Sequence, residues 1–161
     1  GGSTMHLPGR RLLAALFAFA LAAPQAATAQ SLGTISGPQA AEVLAALGLS
    51  PELGRDRHGD PEIMFQQNGL TCRLNFFDCR NDRCGSLQLE VGLDLEAGTT
   101  PQVVNQYNRT YRYGRAYLDE DMDPYLLYDF ELPHARVGEY LESQLGIFGT
   151  LLEHFTEAFG Y

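Results

Sequence analysis

The spacing of apolar residues along the chain switches between helical and alternating, and each switch predicts an element of secondary structure. Apolar residues recur at helical spacing from Ala40 to Leu47, after a capping-box start at Ser36 and before Gly48. A loop rich in charge and glycine is expected to run from there to Pro61. Alternation with a period of two then predicts three strands of a meander, at residues 62–67, 70–79 and 84–95.

The second half of the chain predicts a helix, a hairpin and a last helix. Thr100, followed by a proline, is a good start for a helix over residues 102–111. Two strands follow at residues 115–119 and 125–132, and an apolar stripe runs along a final helix over residues 137–159. The predicted order is α-β-β-β-α-β-β-α. We therefore expect an α+β fold with a mainly antiparallel five-stranded sheet packed by helices.

The cysteines test the register of the first long hairpin. If Cys79 lies opposite Cys84, one face of the hairpin is wholly apolar and Arg73 meets Glu90 on the other face. This agreement predicts a Cys79–Cys84 disulfide, with Cys72 on the opposite face as a buried free thiol. The alternative is a redox-active pair, although such pairs usually occur as Cys-x-x-Cys at the start of a helix.

The second hairpin is predicted to place Leu118 opposite Leu126. This register sets Arg115 directly against Asp129, which predicts an ion pair between the two strands. Because both side chains would face solvent, the pair would contribute at most about 1 kcal/mol to stability.

The turn of this hairpin, residues 119–123, holds four acidic side chains and raises a calcium hypothesis. The calcium-loop pattern needs a glycine where Pro124 stands and a bidentate glutamate where Phe130 stands. We therefore favour a solvated acidic turn and predict no metal ligand there.

Candidate catalytic residues are few. His58, with Asp60 nearby, could supply metal-binding or acid–base groups, but no second histidine follows at ligand spacing. His154 is interpreted as a solvent-facing residue in a charged strip of the last helix. The sequence has no nucleophile elbow, no zinc-protease helix motif and no phosphate-binding glycine loop. We predict no catalytic residue, metal or cofactor.

The first 29 residues have the pattern of an exported protein. Residues 1–4 are interpreted as an artificial addition or a misplaced start, and residues 5–29 as a cleaved signal peptide with a basic start, a short apolar run and a small-residue cleavage site. The apolar run is shorter than the roughly 20 residues that a membrane span needs. We expect residues 30–161 to form a single periplasmic or secreted domain, with no membrane insertion after cleavage.

The charge of the chain excludes some classes of partner. It has 11 basic and 20 acidic residues, a net charge of −9, and none of the basic residues is lysine. Nucleic acid and anionic membrane surfaces attract clustered basic side chains, which this chain lacks. Neither is an expected partner, and the acidity favours solubility.

Six tyrosines crowd residues 107–128. Tyrosine is favoured at recognition surfaces because it gives a large contact area at low entropy cost. We select Tyr117 and Tyr125, together with Asn105 and Asn108 on the preceding helix, as candidate protein-binding residues. The alternative is that most of these rings cap the core while their hydroxyls reach water.

One stretch also carries a family resemblance. Residues 104–119, with Asn108 on the helix and an arginine–aromatic pair before the strand, together with residues 125–130, resemble the centre of the YbjN domain family. The resemblance implies a fold like that of type III secretion chaperones and a role as a regulator of sensory transduction, and it implies no reaction. Exported YbjN-like sequences are also similar in carrying a cysteine pair at the first long hairpin.

The function that we expect is therefore a non-catalytic, exported module of the cell envelope with a protein-binding, regulatory or chaperone-like role. Its partner would be a protein segment bound along the sheet, or a second copy in a homodimer. One alternative is a small metal-dependent envelope hydrolase in which His58, Asp60 and the acidic turn converge. Another is a purely structural envelope protein.

Overall fold

The computed structural model describes residues 1–3 and 32–161, so the predicted signal peptide lies outside the described residues. Seven strands and three helices form in this part of the chain. They are β1 Ile35–Ser36, α1 Gly37–Ala46, β2 Glu52–Arg55, β3 Pro61–Gln67, β4 Leu70–Arg80, β5 Arg83–Gly92, α2 Pro101–Thr110, β6 Arg115–Leu118, β7 Pro124–Glu131 and α3 Val137–Phe159. None of the described helices is long and apolar enough to cross a bilayer.

All seven described strands join one antiparallel sheet in the order β2-β3-β4-β5-β7-β6, with β1 paired to the start of β5. The predicted α+β class is confirmed, but the predicted count of five strands is too low. The short β1 and the edge strand β2 were missed. All four residues of β2 are exposed, so that strand lacks the alternation on which the prediction depended.

The helices start where the sequence predicts. The Ser36 hydroxyl accepts a hydrogen bond from the Gln39 N–H, and the Gln39 side chain accepts one from the Ser36 N–H, which completes a capping box at α1. Thr100 caps α2 in the same way, by accepting from the Val103 N–H.

The core lies between one face of the sheet and the helices. Buried apolar side chains alternate along β3, β4, β5 and β7, and they meet the apolar stripe of α3. Phe148 and Phe155 of α3 are fully buried. Burial of a side chain of this size contributes about 1.5–3 kcal/mol. The opposite face of the sheet, called the outer face below, carries no helix among the described elements.

The long helix α3 is continuous, although three glycines left this open in the sequence. One of them, Gly149, allows the β3–β4 turn to approach closely, since a Cβ there would lie 2.9 Å from Gln67 Nε2. Gln67 donates to the Leu145 carbonyl and Asn68 to the Gly149 carbonyl, each at 2.9 Å. The turn is thereby fixed to the middle of the helix.

The first long hairpin has the predicted register, with Arg73 opposite Glu90 and Cys79 opposite Cys84. The two cysteines form a disulfide, with their Cα atoms 3.9 Å apart. Cys72 is a free thiol with 1% of its surface exposed, and burial raises its pKa to about 12.

The predicted register of the second hairpin is wrong by two residues, because Leu118 lies opposite Pro124 and not opposite Leu126. A shift of two keeps every side chain on its predicted face. Arg115 therefore still forms the expected ion pair with Asp129, but reaches it diagonally across the strands.

The acidic turn is held by its own hydrogen bonds. Asp119 Oδ1 accepts from the backbone N–H of Asp121 at 3.0 Å and of Asp123 at 2.9 Å. Met122 has a φ of 64°, in the left-handed region that glycine tolerates best. The turn therefore holds a bulky residue where a glycine would cost less free energy.

The disulfide leads to a first testable prediction about stability. Replacing Cys79 and Cys84 together with serine should lower the free energy of unfolding by about 2 kcal/mol, since the unfolded chain loses a short closed loop. Urea denaturation with and without dithiothreitol measures the effect. Cys72→Ala is the control, since it removes the free thiol and should retain the response to reductant. A double-serine variant as stable as the parent would contradict the prediction.

The left-handed conformation of Met122 leads to a second testable prediction. Met122→Gly should be more stable than Met122→Ala by about 1 kcal/mol, because both variants lose the side chain beyond Cβ and only glycine also lacks the Cβ that makes the left-handed conformation costly. Thermal and urea denaturation compare the pair. Equal stability of the two variants would show that the left-handed conformation carries no cost at this position.

Candidate functional site

The tyrosine-rich stretch divides into buried and exposed rings. Tyr107 and Tyr128 are buried, whereas Tyr113 and Tyr117 have 59% and 42% of their surfaces exposed. Burial raises the pKa of Tyr107 to about 12, with a further contribution from Tyr111. The core-capping alternative therefore describes part of the set, and the exposed rings remain as candidates for recognition.

Asn108 joins α2 to the edge strand β6. Its Nδ2 donates to the Ala116 carbonyl at 3.1 Å, and its Oδ1 accepts from the Ala116 N–H at 2.8 Å. Because β6 is the last strand in the sheet order, these two backbone groups point away from the sheet. The carboxamide takes the place of a neighbouring strand at Ala116 and closes this position of the edge.

Asn105 lies about one turn before Asn108 on α2 and has a different environment. Its side chain is exposed and makes no hydrogen bond with any residue that the structure describes. Of the two asparagines selected from the sequence, Asn108 is engaged with the backbone of β6, and Asn105 is accessible to a partner.

Tyr117 and Tyr125 form a stacked pair on the outer face. They lie opposite each other across β6 and β7, with ring centroids 5.4 Å apart and an interplanar angle of 25°. The Tyr125 ring also covers Gly92, where a Cβ would lie 2.7 Å from the ring carbons. Partial burial, and next the nearby Glu90 carboxylate, raise the pKa of Tyr117 above its ordinary value.

A ladder of polar side chains extends from this pair across the outer face. Arg73 lies 3.5 Å from Glu62 and 3.7 Å from Glu90. Asn75 donates to Glu90 at 2.7 Å. The ladder, called the polar ladder below, consists of Glu62, Arg73, Glu90, Asn75, Gln88, Asp129 and Arg115. These contacts hold the side chains in fixed positions beside the stacked tyrosines.

His154 is not the isolated surface residue that the sequence suggested. Its ring stacks on Tyr111, with centroids 4.5 Å apart and an interplanar angle of 19°. The two residues are far apart in the chain and meet only because α3 runs beside the end of α2. Helical spacing places His154 near the apolar stripe of α3, but it gives no signal for the partner ring.

His58 and Asp60 do not meet the acidic turn. They lie in the loop between β2 and β3, where Asp56 Oδ1 accepts from both backbone N–H groups. The acidic turn, residues 119–123, follows β6. Four strands separate β2 from β6 in the sheet. His58 and Asp60 therefore do not converge with the acidic turn, so the prediction on which the hydrolase alternative depended is wrong.

The contact between α2 and β6 can be tested by mutation. Asn108→Ala should lower the free energy of unfolding by about 1–3 kcal/mol, since it leaves the N–H and carbonyl of Ala116 without their partner. Asn105→Ala, an exposed position on the same helix, should change it by less than about 0.5 kcal/mol. Urea denaturation of both variants provides the measurement, and equal effects would refute the bridging role.

Comparison with known proteins identifies the family. No curated protein and no solved structure matches the chain. The YbjN family, described as "Putative bacterial sensory transduction regulator", matches residues 41–160. The match covers α2, β6, the stacked tyrosines and all of the polar ladder. It extends over most of the chain, so the protein belongs to the YbjN family.

Proposed function

We propose that this protein is a non-catalytic regulatory module that binds a protein segment on the outer face of its sheet. The observation that carries the proposal is the stacked pair of Tyr117 and Tyr125 on a face that no described helix covers. The membership of a family described as regulators agrees with such a role. The chaperone-like fold that the family resemblance implies stays a prediction.

The chemistry of the outer face fits a peptide better than a small polar ligand. The stacked rings offer a flat apolar area, and tyrosine loses little entropy when it makes contacts. The polar ladder beside them supplies carboxylates, amides and guanidinium groups already held in position. An extended segment could place an apolar side chain on the rings and polar groups along the ladder.

Strand addition at β6 is not the mode that we propose. The Ala116 N–H and carbonyl, which an added strand would need, are bonded to Asn108. Recognition across the outer face leaves that contact intact. In this proposal Asn105 lies at the periphery, whereas Asn108 acts only by holding β6 in place.

We also propose that the protein works in the periplasm or outside the cell. The predicted signal peptide over residues 5–29 supports this placement. The Cys79–Cys84 disulfide agrees with it, because structural disulfides persist in oxidising compartments.

Cross-linking can test this function. Because the chain contains no lysine, amine-directed reagents would react poorly, and a photoreactive group is preferable. Phe77, exposed on the outer face, can carry p-benzoylphenylalanine without changing the tyrosine pair. Mass spectrometry after illumination in the native envelope should identify a protein cross-linked to this face. Links between two copies alone would contradict a heterologous partner and indicate a homodimer.

The captured partner then allows a quantitative prediction. Tyr117→Ser should weaken its binding at least about tenfold, as expected for the loss of an aromatic anchor. Tyr161→Ser, which removes an exposed tyrosine at the end of the chain, and His58→Ala should leave the affinity unchanged. Titration calorimetry measures all three variants, and circular dichroism checks their folding. Binding that survives replacement of both Tyr117 and Tyr125 would refute the proposed surface.

A further inference from the structure

We infer that a pocket on the helix side of the sheet binds a small aromatic monocarboxylate. The pocket lies between α3 and the connection from α2 to β6, with a volume of about 360 Å³. That volume falls in the range of sites for small ligands. The pocket is separate from the outer face. Its proposed ligand is different from the protein segment proposed above.

The walls of the pocket suit a flat apolar group. They are formed by the rings of Tyr111 and Tyr113 and by the side chains of Ile147 and Leu151. Stacking on His154 fixes the orientation of Tyr111. An aromatic ring that enters the pocket would therefore meet two tyrosine rings and two aliphatic side chains, with the pocket already formed.

Tyr113 is held in an unusual conformation at this wall. Its φ of 74° lies in the left-handed region, where a bulky side chain is a rare exception. The ring contacts Tyr128 edge-on, with centroids 6.2 Å apart, and Tyr128 in turn donates a hydrogen bond to Gln144. Strained residues that surrounding contacts hold in place are concentrated at ligand sites.

Arg112 gives the pocket its charge preference. Its guanidinium lies 4.9 Å from the centroid of the Tyr113 ring and forms no ion pair or side-chain hydrogen bond within residues 32–161. Arg112 is the one arginine among the residues that line the pocket, so its guanidinium is available there to an anionic ligand. A guanidinium matches the geometry of a carboxylate through two parallel hydrogen bonds.

These features specify the class of ligand. One guanidinium beside apolar walls favours a ligand with a single negative charge and an aromatic body. A phosphate or a dicarboxylate carries more charge than one guanidinium matches, and the wall holds one arginine and no lysine beside the His154 ring and the hydroxyls of Thr110, Tyr111, Tyr113 and Thr150. Thr110 already donates its hydroxyl to the Gln106 carbonyl at 2.8 Å. The pocket therefore fits a single-ring acid.

The test uses 3-phenylpropionate and its neutral amide, 3-phenylpropanamide, as paired probes. NMR titration of the folded protein should show saturable shifts at Tyr113, Ile147 and Leu151. The acid should bind about tenfold more tightly than the amide, because only the acid forms charge-assisted hydrogen bonds. Shifts at Tyr117 without shifts in the pocket would overturn the assignment.

Three variants test whether the preference for the acid over the amide belongs to this pocket. Arg112→Gln should bring the two affinities together, whereas Arg109→Gln, which replaces an exposed arginine of α2 outside the pocket, should keep the preference. Thr150→Trp should fill the pocket from an exposed position and abolish binding of both probes. Circular dichroism confirms folding before each titration.

Either of two further results would overturn the inference. The first is the absence of saturable binding to the parent protein. The second is an acid preference that Arg112→Gln leaves unchanged. If Arg112→Gln fails to fold, Arg112→Lys replaces it, and a preference smaller than that of the parent protein is then expected, because lysine keeps the charge but loses the paired geometry.

Discussion

Burial of the apolar stripe of α3 against one face of the sheet is the interaction on which the rest of the structure depends. Phe148 and Phe155 enter the core completely, and the β3–β4 turn is bonded to carbonyls in the middle of the same helix. Because the described helices occupy only this face, no described helix covers the outer face. Because α3 also runs beside the end of α2, it forms an open pocket with the connection after α2. Both candidate surfaces follow from the position of one helix.

The sequence predicts the first long hairpin well and the second less well, for a physical reason. In the first hairpin, the cysteine pair and the Arg73–Glu90 pair both select one register. In the second, a shift of two residues preserves the faces, so the apolar pattern cannot distinguish the two registers. The true position of the turn was missed because Met122 adopts a left-handed conformation for which glycine is the usual sequence signal.

The sequence predicts which residues form the candidate site, but not the contacts between them. The crowding of tyrosines is visible in the sequence, and alternation along β6 and β7 places Tyr117 and Tyr125 on one face. Their stacking depends on the correct register, and the register predicted from the sequence was wrong by two residues. The contact of Asn108 with Ala116 and of Tyr111 with His154 depends on how separate elements pack. No local pattern encodes contacts of that kind, so they could be found only in the folded structure.

The closure of the β6 edge by Asn108 has a consequence for how copies of this protein could assemble. All four residues of the other outermost strand, β2, are exposed. Two copies could pair through β2 related by a twofold axis, and each would then present its closed β6 edge outward. At Ala116 of that edge the backbone N–H and carbonyl are already bonded to Asn108, so a further strand could pair there only in molecules in which the contact between α2 and β6 has opened.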